Sequence, residues 1–421
     1  MKKAFIHING CERRELDATR IQNYLIKNKY IIVNSPSKAD VIIFIGCAVL
    51  DKPTDISFKK IKEFQKYKAE LIVAGCIPAI EPNALADRFS GKTLTTEYLN
   101  KKPEKIDQLF PENKVPFKEI KDANILFKNM NINSLFDLIT YCLGKSKKID
   151  NFYFKLKSYI FTQIFGENYV LYRFLFKEKY SFQVRVSWGC PSRCSYCSIN
   201  KAVGPLESKP IDQCVKELKR GISQGYENII LTGDNVGAYG LDIGKTLPEL
   251  LYKTSFAAGN YKMMILNFHP RWLVKYIKDL EKILIDNKIN CIDIPIQSGS
   301  TRILKLMNRF SDIEEIKNAC KKLKEVAPKL ILGTDIIIGF PSETEEEFKK
   351  TLDFIRESDF QIGTAIKYSC KIGTKAEKIE GKISTKKIDK RFNYAKKFFK
   401  KQGYNIMYLP RMHYFVFFKK S

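Results

Sequence analysis

A chain of 421 residues is long enough to bury two or three hydrophobic cores. Its composition, 44% hydrophobic and 28% charged, is that of a globular protein, and no run reaches the roughly 18 apolar residues of a membrane span. The N-terminus MKKAFIHINGCERRE turns charged too early for a secretory signal, so the sequence predicts a cytoplasmic protein without membrane contact. A net charge of +27, from 73 basic and 46 acidic residues, suits phosphate-bearing partners. Lysines scattered along the whole chain equally describe a solvated surface, so the charge permits an RNA partner without identifying one. Eleven cysteines beside three histidines argue against zinc sites and against a disulfide framework.

The first hundred residues read as α/β. AFIHI (4–8), VIIFIG (41–46) and LIVAG (71–75) are short apolar runs of strand length. Between them lie helical patterns, 15–28 through Leu16, Ile21, Tyr24 and Leu25, and a Lys-rich stretch through Ile61, Phe64 and Tyr67. Such alternation predicts a parallel sheet covered on both faces. Cys11, Cys47 and Cys76 each fall just past one of these strands, on the carboxyl edge where open parallel sheets bind ligands.

Residues 101–180 read as a linker and insertion. KKPEKIDQLFPENKVPFKE is polar with three prolines, and 151–182 crowds aromatics among lysines, with Leu156, Ile160 and Ile164 at amphipathic helical spacing. From 183 the alternation resumes: QVRVS, then strands at 228–233, 263–268, 291–296, 330–340 and 362–368. Helical patterns separate them at 211–224, 247–255, 270–286, 300–307, 312–325 and 343–356. Six repeats predict a partial (βα)6 barrel over 181–380, with its chemistry at the C-terminal ends of the strands. Residues 381–421 form a basic tail. Cys142, Cys214, Cys291, Cys320 and Cys370 stand alone and are expected to be small buried apolar residues.

Cysteines 190, 194 and 197 in SWGCPSRCSYCSI directly follow the first barrel strand. Three thiolates on one loop can bind three irons of a cubane and leave the fourth iron open. An open position is what distinguishes a catalytic metal site from a closed structural one.

This CxxxCxxC loop, placed after the first strand of a six-fold βα repeat, resembles the radical S-adenosylmethionine (SAM) enzymes. The resemblance is closer to their methylthiotransferase branch, and covers residues 1–100 and 181–380. It is carried by NGCERRELD, IGCAV and AGCIP, by KAVGPLESKP, and by ILTGDNVGAYGLDIG, PIQSGSTRILKLMNR, TDIIIGFPSETEEEF and KIGTKAEKI. GAYGLDIGKTLPELL is most similar to the group that acts on threonylcarbamoyl-adenosine in tRNA.

The resemblance implies two [4Fe–4S] clusters, one on Cys190, Cys194 and Cys197 and an auxiliary one on Cys11, Cys47 and Cys76, with SAM on the open iron of the first. It implies insertion of sulfur and a methyl group at an unactivated C–H bond, most simply C2 of a modified adenosine in tRNA, and a reductant such as flavodoxin or ferredoxin. Around SAM it points to the Tyr196 backbone, to Thr232, Gly233 and Asp234 near the methionine amino group, and to Gln297, Ser298 and Arg309 near ribose or carboxylate. Asp335, Gly339 and Glu343 complete the set, Gly339 letting backbone approach the adenosine. His269, in FHP, is expected to cap or pack, and Asp293 to be a structural acceptor.

Three departures from the family pattern stand out. Ile45 and Gly46 replace the family's usual Asn and Thr, and Ser342 stands where Gly is common. The family generally ends in a small RNA-gripping β-barrel of about sixty residues, whereas 47 follow Thr374 here. The substrate therefore stays open between tRNA and a peptide side chain. A non-catalytic iron–sulfur protein that binds nucleic acid is the rival from another class, opposed by the TGDN, QSGS and GFPSET motifs.

Overall fold

The computed structural model describes residues 1–127, 181–409 and 414–419. The aromatic and lysine-rich stretch, apart from its last two residues, and Cys142 lie outside the described residues. Among the described residues no helix is long and apolar enough to cross a membrane.

Strands β1 (Lys3–Asn9), β2 (Ile31–Ile32), β3 (Val41–Gly46), β4 (Glu70–Gly75) and β5 (Lys92–Thr95) form a parallel sheet in the order β2-β1-β3-β4-β5. All six residues of β3 are buried, which is why VIIFIG reads as an unbroken apolar run. Successive side chains go to opposite faces. Ile43 and Ile45 join Ala18, Ile21 and Tyr24 of helix α1 (Glu12–Lys27), whereas Ile42 and Phe44 join Ile61 and Phe64 of helix α2 (Asp51–Phe64).

The proline-rich stretch after residue 101 packs onto this first unit. Ile106, Phe110, Phe117 and Ile120 enter the α1-side core, and the Tyr24 hydroxyl donates to Asp107 at 2.9 Å. Its apolar residues are isolated and follow no period, so only the tertiary contact reveals them.

The second sheet has six parallel strands, β6 (Ser181–Arg185), β9 (Asn228–Thr232), β10 (Lys262–Ile265), β11 (Ile289–Asp293), β12 (Ile331–Ile338) and β13 (Ile362–Lys367). A small ribbon, β7 (Ser187–Trp188) with β8 (Glu207–Ser208), follows β6. On one face Ile229, Leu231, Met263, Ile265 and Ile292 pack against the surrounding helices. On the other, Ile230, Met264, Cys291 and Ile331 form a separate apolar cluster low in the half-barrel. Two residues further along the same strands come Asp293 and Gly333, and four past Ile331 comes Asp335, so the interior turns polar toward the C-terminal edge.

The basic tail is built into this sheet. Helix Thr385–Lys401 buries Ile388, Phe392, Ala395 and Phe399, at alternating spacings of four and three. Strands β14 (Tyr404–Leu409) and β15 (Tyr414–Lys419) form a hairpin whose β15 pairs antiparallel with β13. Phe399 stacks on Phe417 at 4.0 Å. The eight-stranded sheet therefore runs from β6 to β14 and stays open. Among the described residues the tail forms no separate barrel. Of the isolated cysteines, Cys214, Cys291 and Cys320 are buried as expected, but Cys370 is exposed, because the loop after β13 carries it outward.

Candidate active site

The loop carrying Cys190, Cys194 and Cys197 begins at Gly189, whose φ of 73° lies in the left-handed region. A Cβ there would sit 1.9 Å from the Pro205 carbonyl oxygen, so the turn into the loop requires glycine. Other elements then grip the loop. Ser195 donates its N–H to Met307 and accepts from the Ala376 N–H, at 2.9 and 2.8 Å. Asn235, just past β9, directs its amide toward the Cys190 Sγ at 3.5 Å and donates to the Ser192 hydroxyl at 3.1 Å. Arg309 Nη1 lies 3.4 Å from the Cys194 Sγ and 3.3 Å from the Tyr196 hydroxyl, and its Nη2 bonds the Pro295 carbonyl. Burial pushes the Cys190 thiol up, and that of Cys197 up to about 12. Metal binding must therefore displace protons here.

The second set lies on the first sheet. The last residues of β1, β3 and β4, namely Asn9, Gly46 and Gly75, are in register, so Cys11, Cys47 and Cys76 leave one edge side by side. Cys11 occupies the cap position of α1 with its thiol making no cap bond. The Ser57 hydroxyl fixes Cys47, accepting from its N–H at 3.2 Å and donating to its carbonyl at 3.0 Å. Cys76 donates its N–H to the Gly46 carbonyl at 3.0 Å. Its thiol is pushed up to about 12 by burial, against the opposing charge of Arg14. Arg14 is 2% exposed and pairs with Asp17 at 3.1 Å, yet its Nη1 is buried without a hydrogen-bond partner.

The residues expected around SAM divide into groups. Thr232 Oγ1, Asn235 Oδ1 and Arg309 Nε are buried and unpartnered, beside the first cysteine loop. Asp293 Oδ1 is likewise unpartnered, while its other oxygen accepts from the Asn267 N–H at 3.1 Å. Burial raises the carboxyls of Asp293 and Asp335, the latter to about 6.

Asp234 is fully engaged: one oxygen accepts from the Gly189 N–H at 3.0 Å, the other meets Arg13 Nε at 3.0 Å. Gln297 holds a φ of 72° and bridges to β12, donating to the Asp335 carbonyl and accepting from the Ile337 N–H. Ser298 is wholly buried, its hydroxyl against Thr351 and the Ser300 N–H. At Gly339, a Cβ would meet Ile388 of the tail helix at 2.5 Å, and φ is 89°, so packing explains the glycine. Glu343 accepts from the Gly339 N–H and pairs with Arg391, both at 2.9 Å. His269 caps the helix Pro270–Leu284 through Nδ1, and burial lowers its imidazole to about 2. Sequence reading missed Arg13, Arg14 and Asn235 as site residues, although NGCERRELD and TGDN had singled out the segments that carry them.

Residues 184–355 match the Radical SAM superfamily, and residues 3–96 match the Uncharacterized protein family UPF0004. The tRNA-2-methylthio-N(6)-dimethylallyladenosine synthase of Aquifex aeolicus is 31% identical over 396 residues, covering 91% of this chain and 80% of that protein. This chain belongs to the radical SAM methylthiotransferases. The Thermodesulfovibrio yellowstonii protein of the same name is 30% identical, again over 91% and 80%. The probable threonylcarbamoyladenosine tRNA methylthiotransferase of Pyrococcus horikoshii is 26% identical over 90% and 79%. Relatives of both tRNA-modifying groups thus match.

The radical SAM methyltransferase TsrM from Kitasatospora setae shares the fold, with a TM-score of 0.57 at 11% identity over 86% of this chain and 72% of that one. Family membership brings SAM and [4Fe–4S] clusters, two clusters being typical. The residues present fit these groups. Each cysteine set is free of disulfides and has buried, unpartnered polar atoms beside it. Among the described residues no three His, Cys, Asp or Glu converge on a single ion. A cubane instead spreads its thiolates over three separate irons.

Proposed function

We propose that the chain methylthiolates C2 of an N6-modified adenosine in tRNA, with Cys190, Cys194 and Cys197 holding the radical cluster and Cys11, Cys47 and Cys76 the auxiliary one. The observation that carries this is the meeting of two cysteine-bearing strand edges, one from each sheet, through the contact of Asp234 with both Arg13 and Gly189. In this reading residues 1–100 carry the auxiliary cluster and 181–380 the radical cluster, while 101–180 connect them and 381–421 form the tail. Bound at these sites, the clusters and SAM supply a radical able to take hydrogen from an unactivated C–H bond, together with the sulfur and methyl group.

The chain's own residues hold and shield. Arg309 and Asn235 direct N–H groups at Cys194 and Cys190, which stabilises charge on the sulfurs. Thr232, Gly233, Gln297, Asp335 and the Tyr196 backbone would hold SAM, with the buried, unpartnered Thr232 Oγ1 among the groups able to bond it. Ser298 and Gly339 would act behind these residues, through Thr351 and the tail-helix Ile388, and Asp234 holds the loop. A low-potential flavodoxin or ferredoxin supplies electrons, and the reaction takes place in the cytoplasm.

For tRNA, the tail helix offers Lys386, Lys390, Lys397, Lys400 and Lys401 on its exposed side, next to the exposed ring of Tyr394. Such a row suits a phosphate backbone. Anaerobic reconstitution tests the cluster assignment: about eight irons are expected, two cubanes of four. Replacing Cys11, Cys47 and Cys76 with Ala should remove about half of them. An unchanged count would overturn the auxiliary site.

A further inference from the structure

Arg13 follows Cys11 by two residues on α1, and Asp234 stands just past β9 in the half-barrel. The Nε–Oδ1 contact of 3.0 Å joins the two units, with the side chains 14% and 6% exposed. The other oxygen of the same carboxylate holds the Gly189 N–H, directly before Cys190, while the next residue, Asn235, reaches the Cys190 Sγ. One carboxylate thus ties the loop of one cysteine set to the loop of the other. Arg13 is further steadied by its own backbone, whose carbonyl accepts from Arg185 of β6 at 3.2 Å.

We infer that Arg13 and Asp234 are a positioning pair that fixes the span between the two cluster sites, and hence the reach from sulfur donor to the carbon that receives it. This rests on the two-cluster reading above. Neither residue touches substrate in this role. The chemistry that generates the radical lies wholly on the half-barrel side, while delivery of sulfur must cross the contact. Loosening the contact should therefore leave SAM cleavage running and make it unproductive. Geometry of this kind is sensitive, since a misplacement of about 1 Å can cost up to a hundredfold in rate.

The test compares reconstituted wild-type enzyme with Arg13→Gln and Arg13→Lys, both on the auxiliary side of the contact. It measures 5′-deoxyadenosine released per methylthio-nucleoside formed, alongside iron content and the spin–spin broadening of the two reduced clusters in electron paramagnetic resonance. Full iron, weakened broadening and a ratio raised about tenfold or more are expected for Arg13→Gln. Arg13→Lys, which keeps the charge, should recover part of the coupling.

An unchanged ratio in Arg13→Gln would overturn the proposal, as would SAM cleavage and methylthiolation that fall together. If the wild type cleaves SAM but forms no methylthio-nucleoside, the functional reading itself has failed. The broadening then still decides whether Arg13 sets the span.

Discussion

Arg185, on the first strand of the half-barrel, donates to Asp17 of α1 at 2.7 Å with both side chains almost wholly buried. The pair belongs to a chain of charges along the seam between the units: Arg14 with Asp17, Arg185 with Asp17 and Asp122, and Lys209 with Asp122 and Glu217. Removing one partner strands a buried charge, which costs about 3–5 kcal/mol. Arg185→Leu should therefore loosen the two units from each other, splitting a single denaturant transition into two. A single transition at the wild-type midpoint would contradict this.

The same seam should be acid-sensitive. Burial alone would raise the Asp122 carboxyl, but Arg185 and Lys209 outweigh it and hold the group at about 2. A carboxyl depressed in the folded state contributes stability that is complete above its unfolded value near 3.8. That contribution fades as pH falls from there toward about 2. In Asp122→Asn the stability–pH profile should flatten across this window, as read by chemical denaturation at several pH values.

Arg309 acts at the radical site through Cys194 and Tyr196. Lysine keeps the charge but loses the planar fork that serves Pro295 and Cys194 together. Arg309→Lys should keep iron bound yet lower SAM cleavage by about ten- to a hundredfold, the range for groups that orient metal ligands. The change in the cluster's electron paramagnetic resonance on adding SAM should weaken in parallel.

His269 should prove dispensable for chemistry. Burial keeps its ring neutral, with an imidazole lowered to about 2, and its Nδ1 accepts the Arg271 N–H. Replacing a capping acceptor with Ala costs about 1 kcal/mol. His269→Ala should therefore lower the melting temperature while leaving the rate of SAM cleavage near wild type, and His269→Asn should restore much of the stability. A loss of cleavage in both variants would make His269 more than a cap.

The lysine row of the tail helix is expected to act on affinity alone. Changing Lys390, Lys397 and Lys400 to Glu should weaken tRNA binding and flatten its dependence on salt, by roughly one unit of log–log slope for each phosphate left without its lysine. Cluster content and SAM cleavage without tRNA should not move.

Much of the fold was legible in the sequence because strands β1–β5 and the six barrel strands β6 and β9–β13 are parallel and buried on two faces. That arrangement makes VIIFIG an unbroken apolar run and leaves Ile229, Ile230 and Leu231 as the apolar centre of NIILTG, each run bounded by a functional loop. The run MMILNF reads longer than β10, because Leu266 and Phe268 stay apolar after the strand has ended at Ile265. The cysteine sets were legible for a similar reason, since each stands at the end of a strand. Three features were not. Phe110 and Phe117 enter the core as single residues without a period. The final hairpin finds its partner in β13, across an intervening helix. Arg13 and Asp234 lie far apart in the chain, and only the closure of one unit on the other makes them neighbours.

The most direct test of tRNA methylthiolation is mass spectrometry of nucleosides from total tRNA, in a host lacking any other enzyme of this type. The host would express this chain or its Cys190→Ala variant. The active chain should produce a 2-methylthio derivative of an N6-modified adenosine, whose mass distinguishes a dimethylallyl from a threonylcarbamoyl substituent, and the variant should produce none. Tryptic peptides carrying a methylthio group, with tRNA unaltered, would contradict a tRNA substrate. Unaltered tRNA and protein from an iron-loaded, SAM-cleaving enzyme would contradict methylthiolation itself.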